Sequence, residues 1–420
     1  MADTPTLPRS LKLRLHQGLK SFVMGSPVLR RPSSAYLRRR LHRGYAARAD
    51  FYARRADELG LAYSEEATTA AVRRRLAERG RTPKPKRLGD IHTFVFLSGQ
   101  GWHETLMPDL EELGPVTRFD YIAKGYRWPE LVRAGREGLR QREELNSLIL
   151  PALREAHARR PVDWVFVYAS GYEIKAETVR RITEETGLPT VNMCLDDKHS
   201  WSGRWLGDHS GGQDGIVGAF DLAWTTARVA CEWIMVEGGR PLCLPEGFDA
   251  RTYRPLETPK DIPVSFVGEA YGFRIDVIEH LRRRGVPVQT FGRGWGPFIS
   301  NDEFLRVLHR SRINLGMGGI LHSEDLVNLK GRDFEVPATG GGVYLTTYNP
   351  DLARYFAIGD EILCYSGRED LVDQIRYYLK HPDEAAAIAA RGRARCLREH
   401  RWLHRLQKVC GVLGLTADGA

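Results

Sequence analysis

No run of 18 consecutive apolar residues occurs in this chain of 420 residues, so no segment reads as membrane-spanning. An apolar signal core is also missing from the N-terminus, which argues against secretion. Cysteine is sparse. Cys194, Cys231, Cys243, Cys364, Cys396 and Cys410 are scattered with no CxxC pair, which excludes a disulfide frame and a thiolate zinc site and fits reduced thiols in a cytosol. Adjacent carboxylates occur at Asp196 and Asp197, but no further oxygen ligands follow at metal spacing, so no metal is expected. Acidic residues are scarce in one place only. Residues 1–87 hold 7 of them against 21 Lys and Arg, a balance of +14, whereas the whole chain carries +9 and the remainder therefore −5. The basicity belongs to an extension, and a nucleic-acid partner is not expected for the acidic body. A cytoplasmic protein is expected, peripheral at the inner face of a membrane through its basic segment.

What is present is ordinary for a globular protein. Hydrophobic residues make up 42% and charged residues 27%, enough apolar matter for sizeable cores, and the length predicts two domains. Residues 1–87 read as a basic helical extension, with Leu11, Leu15, Leu19 and Phe22 and then Leu37, Leu41 and Tyr45 at helical spacing among arginines. Such a face fits an anionic membrane surface; a solvated helical extension packed on the body is the plainer and preferred reading, and the composition is also that of a transit peptide. Strands alternating with helices follow from Ile91, which predicts a parallel doubly wound sheet over 88–245. The proline-rich stretch Pro245–Pro263 reads as a domain boundary, and a second alternation predicts another such sheet over 246–400, with 401–420 as a C-terminal tail.

The stretch from Lys330 to Thr347 organises the second half. Lys330 and Arg332 suit a diphosphate, and Glu335, one helical turn beyond Arg332, can accept hydrogen bonds from the two hydroxyls of a ribose. Gly340 and Gly341 let backbone approach a ligand, or simply cap the helix. Pro337 interrupts that helix at a cost of about 3 kcal/mol, a conflict tolerable at a helix end or a site. Arg274 opens another helix behind Gly268 and Gly272. A cation there opposes the helix dipole unless an anion binds to both, so a phosphate is expected. Trp295, in Gly292-Arg-Gly-Trp-Gly, either stacks on a base or caps the core. On the rim of the first sheet, His103 and the group Asp196, Asp197 and His199 are candidates for a general base, with Asp197 and His103 foremost; solvated charge and helix capping are the plainer roles.

Phe266-Val-Gly-Glu-Ala-Tyr-Gly-Phe-Arg274, followed by Lys330-Gly-Arg-Asp-Phe-Glu-Val-Pro-Ala-Thr-Gly-Gly341, by Glu361-Ile with Tyr365 and by Asp370-Leu, resembles the CgeB-like, spore-maturation type of glycosyltransferase. That group shares the GT-B fold and the style of the glycosyltransferases of group 1. The resemblance covers about 245–400 and extends weakly back to about 90. It implies two Rossmann-like domains facing a cleft, a nucleotide-diphosphate-sugar donor in the second, a hydroxyl acceptor in the first, and a hexosyltransferase activity without a metal or other cofactor. Glu335 would then hold the ribose and Lys330 or Arg332 the diphosphate. One departure concerns the second glutamate that many retaining relatives carry eight positions earlier: Val327 stands there, with Glu324 and Asp325 nearby. An epimerase or phosphorylase of nucleotide sugars, or a non-catalytic adaptor that binds them or a membrane surface, would use the same scaffold.

Overall fold

The computed structural model describes residues 27–98, 105–297 and 299–417. Two helices come first, α1 (Pro27–Glu58) and α2 (Glu65–Glu78). Ser64 caps the second by accepting from the Ala67 N–H at 3.0 Å. The first sheet is built from β1 (Thr93–Leu97), α3 (Met107–Leu113), β2 (Val116–Arg118), α4 (Trp128–Leu131), α5 (Arg136–Arg159), β3 (Trp164–Tyr168), α6 (Ala176–Thr186), β4 (Thr190–Cys194), α7 (Asp197–Ser200), β5 (Leu222–Thr225), α8 (Ala230–Val236) and β6 (Pro241–Cys243). The second contains β7 (Ile262–Val267), α9 (Phe273–Arg283), β8 (Val288–Phe291), α10 (Asn301–Arg310), β9 (Ser311–Leu315), α11 (Arg332–Thr339), β10 (Val343–Thr347) and β11 (Leu363–Tyr365). Helices α12 (Arg368–Lys380), α13 (Pro382–Glu399) and α14 (Trp402–Leu413) finish the chain.

Every pairing within both sheets is parallel. The orders are β2-β1-β3-β4-β5-β6 and β11-β10-β9-β7-β8. Parallel strands are covered on both faces, which is why β1, Thr-Phe-Val-Phe-Leu, is buried at all five positions and reads as a continuous apolar run. Both sheets are doubly wound, and the two Rossmann-like domains face each other across a cleft, the GT-B arrangement. Each order reverses once, between β1 and β3 and between β7 and β9. The carboxyl ends of those strand pairs are where such sheets hold ligands.

One expectation about the termini changes. The supposed tail is α14, and Leu403, Leu406, Val409 and Leu413 are buried in the core of the first domain with Trp164, Phe166 and Trp224. Asp109, fully buried on α3, fixes its start by accepting from the Leu403 N–H at 3.0 Å and from Arg401 at 2.8 Å. The chain therefore crosses between domains twice, and the crossings run side by side: the Phe248 N–H reaches His400 O at 3.3 Å and the Trp402 N–H reaches Phe248 O at 3.2 Å. The described part of the basic extension packs on the body, the plainer of its readings. Val72 and Leu76 of α2 join the same core. Arg75 and Arg79 converge on the buried carboxylate of Asp221, at 2.9 and 2.6 Å. Tyr52 of α1 lies between Trp201 and Trp233. Its hydroxyl donates to Glu237 at 2.7 Å and accepts from Trp201 Nε1 at 2.9 Å. Near its middle α1 reaches the second domain, where Arg38 pairs with Asp325 and His42 Nε2 lies 2.6 Å from Ser323 Oγ. No helix among the described residues is long and apolar enough to cross a membrane.

Candidate active site

A cavity of ≈ 200 Å³ opens at the carboxyl ends of β7 and β9, and Gly268, Arg274, Lys330 and Arg332 all line it. Four of the donor-site residues expected from sequence are thus brought together. The loop before α9 delivers Arg274. Gly272, at φ 57°, makes the turn, and a Cβ there would lie 2.0 Å from Leu321 O, so the position admits only glycine. Arg274 lies over the Tyr271 ring at 4.4 Å and the Phe266 ring at 5.6 Å, and its Nη1 donates to Glu269 O at 3.3 Å. Its Nε is buried without a partner, and burial holds the guanidinium below its ordinary pKa. A desolvated cation with an unused N–H, facing a cavity, is an anion site in electrostatic terms. Arg332 donates to Val267 O at 2.9 Å and stacks on Phe304 at 4.3 Å, which aims it at the same space. Asp333, buried beneath, accepts from the Lys330 N–H at 2.9 Å and from the Tyr344 hydroxyl at 3.0 Å; burial pushes its carboxyl up to about 6.

Glu335 does not line this cavity. It lies on the neighbouring side of Gly331, 3.8 Å from Arg332 Nε, raised by burial and held down by Arg332 and the Tyr253 hydroxyl. Glu246, from the crossing segment, faces it. A Cβ on Gly331 would lie 2.7 Å from Glu246 Oε2 and 3.4 Å from Glu335 Oε1. Burial first, and then the charges of Glu335 and Asp196, push the Glu246 carboxyl up to about 8. Nothing local in Leu-Pro-Glu-Gly-Phe marks that glutamate; only the convergence of both domains does. Gly340 and Gly341 are at the other end of α11. Gly340 is its left-handed C-cap at φ 66°, and added Cβ atoms would meet Arg393 and Leu308 O, so these glycines shape a turn behind the sheet and not the site. Glu324 and Asp325, near the departed glutamate position, are occupied by Arg368 and Arg38. Trp295 packs edge-on against Phe266 at 6.4 Å, capping the core.

The first domain faces this cavity with another, of ≈ 360 Å³, at the carboxyl ends of β1, β3 and β4. Asp196 and His199 line it, and Asp196 Oδ1 lies 3.6 Å from Lys330 Nζ across the cleft. Asp197 does not line it. Its side chain points down into the domain, 1% exposed, and accepts from Thr225 Oγ1. Burial pushes its carboxyl up to about 6. The two adjacent carboxylates split because α7 is a single turn: one faces the cleft and the other the core. As a base candidate, Asp197 gives way to its neighbours. His199 Nε2 is 3.8 Å from Asp196 Oδ1 and its Nδ1 is buried without a partner. Burial lowers its pKa, an effect Asp196 opposes and Lys330 and Arg48 reinforce, which favours the neutral ring. His103 lies outside the described residues.

Residues 274–411 match the protein-family model described as "Glycosyl transferase-like". The match takes in Arg274, Lys330, Arg332 and Glu335 and leaves the first sheet outside. No curated protein matches the chain. Among solved structures, Anabaena Alr3699/HepE in complex with UDP-glucose is 11% identical with a TM-score of 0.48, covering 77% of this chain and 98% of its own. A glycosyltransferase from Rickettsia africae gives 11% and 0.48, over 83% and 94%. Sucrose-phosphate synthase from Thermosynechococcus elongatus gives 11% and 0.43, over 65% and 79%. With TM-scores below 0.5, none of these bears on the chemistry of this chain.

Proposed function

We propose that the protein is a glycosyltransferase of the CgeB-like type, moving a hexosyl group from a nucleotide-diphosphate-sugar to a hydroxyl acceptor. One observation carries the reading. Arg274, Lys330 and Arg332 converge at the switch point of the second sheet while Asp196 and His199 face them from the first, with Lys330 and Asp196 3.6 Å apart. In the transfer the bond from the anomeric carbon to the diphosphate oxygen breaks as the acceptor oxygen bonds to that carbon. The leaving diphosphate gathers negative charge, which Arg274 and Lys330 neutralise without a metal. The acceptor proton passes to neutral His199, whose imidazolium Asp196 stabilises. Glu335, with Glu246 across Gly331, takes the ribose hydroxyls. Closure of the cleft excludes water from the donor.

Titration of the full-length protein with a panel of nucleoside diphosphates, followed by incubation of the corresponding sugars with hydroxyl acceptors, tests the reading. One diphosphate binds and its sugar appears on an acceptor. Glu335→Ala weakens that binding by about 2–4 kcal/mol, two charged hydrogen bonds, without lowering the melting temperature. Sugar isomerisation with no acceptor product would make the chain an epimerase, and binding with no turnover an adaptor.

A further inference from the structure

A groove of ≈ 540 Å³ runs between α1, the single turn of α7 that carries Lys198 and His199, and the loop of Leu321 and His322. From α1 it is faced by Arg40 and Arg48 beside Leu41 and Tyr45, and no carboxylate lines it. His199 belongs to this groove and to the ≈ 360 Å³ cavity alike, so the two spaces meet at the candidate base. The basic character of α1, legible in the sequence, is therefore not spread over solvent alone; part of it is delivered to the edge of the active site.

The charges of the groove are poorly compensated. Arg40 is exposed, with no ion-pair or hydrogen-bond partner among the described residues. Arg48 Nη1 reaches only Lys198 O, at 3.5 Å, and its guanidinium lies 5.5 Å from the centre of the Trp233 ring. Lys198 Nζ donates to Val327 O at 2.9 Å, and its nearest carboxylate, Asp351, is 3.9 Å away. Burial holds both Arg48 and Lys198 below their ordinary values, opposed by Asp214 and Asp351 respectively. The remaining acids around the groove are engaged elsewhere: Asp325 with Arg38, and Asp196 with Lys330 and His199. A second sign comes from the backbone. Leu321, on the lip of the groove and 42% exposed, holds φ 52°, the one positive φ of a non-glycine residue among those described. Strain of that kind in an exposed leucine gathers at binding sites.

We propose that this groove binds a phosphate group carried by the acceptor, held by Arg40, Arg48 and Lys198 so that the acceptor hydroxyl reaches His199. This rests on the glycosyltransfer reading above and adds the class of acceptor. Three cations around a space with no carboxylate suit a phosphate better than a neutral glycan, and Leu41, Tyr45 and Leu321 leave apolar room beside it.

The test uses full-length protein with the donor site saturated by nucleoside diphosphate, and inorganic phosphate as the probe. Arg40→Glu and Arg48→Gln each weaken phosphate binding about tenfold or more, the loss of a charged hydrogen bond, while nucleoside diphosphate affinity stays unchanged. Arg39→Glu, the same charge change on the same helix outside the groove, alters it about twofold at most in physiological salt. Flotation on phosphatidate vesicles, abolished by Arg40→Glu, assigns the phosphate to a lipid headgroup; phosphate binding without flotation assigns a soluble phosphate-bearing acceptor. Absence of phosphate binding in the wild type, or equal loss in Arg39→Glu, overturns the proposal. A protein that binds phosphate here but no nucleoside diphosphate overturns the donor reading instead, so the two failures are distinct.

Discussion

Arg274→Met separates a binding role from a structural one because the two predict opposite signs. In the unliganded protein the substitution removes cation–π contacts with Tyr271 at 4.4 Å and Phe266 at 5.6 Å, worth about 0.5–2 kcal/mol. It also removes one long hydrogen bond to Glu269 O, worth about 0.5–1.5 kcal/mol. Against these it abolishes a buried N–H with no partner, a penalty of about 1–3 kcal/mol. The terms nearly cancel, and methionine fills much of the same volume, so the unliganded melting temperature should hardly move. In the complex the variant loses a charge-assisted hydrogen bond to the diphosphate, about 1.5–3 kcal/mol, or roughly 10- to 100-fold in Kd. At a nucleotide concentration of about 100 times the wild-type Kd, ligand stabilisation of ~2.7 kcal/mol should fall below ~1 kcal/mol for a thirtyfold weaker complex. Thermal melts with and without nucleoside diphosphate, and calorimetric titration, read both quantities. A variant that melts several degrees lower yet binds the diphosphate as tightly would show that Arg274 serves packing, and the reasoning from its unpaired Nε would fail.

Three other outcomes are expected. Asp196→Asn and His199→Gln lower the transfer rate at saturating donor by about 10²–10⁴-fold for the base and leave nucleotide affinity nearly unchanged, whereas Asp197→Asn, pointing away from the cleft, retains the wild-type rate; single-turnover kinetics with parallel titrations decide, and a slow Asp197→Asn with fast neighbours reverses the assignment. Removal of residues 1–87 strips Arg75 and Arg79 from buried Asp221, a loss of about 3–5 kcal/mol for an unpaired buried charge before the exposure of the core face that Val72 and Leu76 cover is added, so urea denaturation should show a less stable protein, and an unchanged midpoint contradicts the packing argument. Folded Glu246 keeps its proton up to about pH 8 while the unfolded chain releases it near the ordinary carboxylate value; stability therefore falls as pH rises between these limits, and Glu246→Gln should flatten that fall in melts from pH 4 to 9.

The sheets were legible because buried parallel strands write themselves as apolar runs, as in Trp164–Tyr168. The cations of the donor side were legible too, since Arg274 behind a glycine turn and Lys330 before a helix place charge by local geometry alone. The remainder depended on long-range placement. A one-turn helix cannot tell which of Asp196 and Asp197 faces the cleft. Gly340 and Gly341 sit in a pattern that serves a cap as well as a ligand, and only the contact with Arg393 and Leu308 separates the two. The apolar face of α14 is evident, but no periodicity says that it docks on the domain 150 residues upstream of it rather than the adjacent one. Glu246 gains its character from burial where the domains meet and then from Glu335 and Asp196, neither of which is near it in sequence.

The docking of α14 has a consequence for biosynthesis. Leu403, Leu406 and Val409 complete the core around Trp164 and Trp224, and buried Asp109 finds Arg401 and the Leu403 N–H only when that helix arrives. On the ribosome the first domain cannot close as it emerges, contrary to the usual N-terminal-first order. It must wait, with one apolar face uncovered, while the whole second domain is translated. The second domain, whose sheet needs nothing from the first, can mature earlier, so the half made last is the half able to finish first.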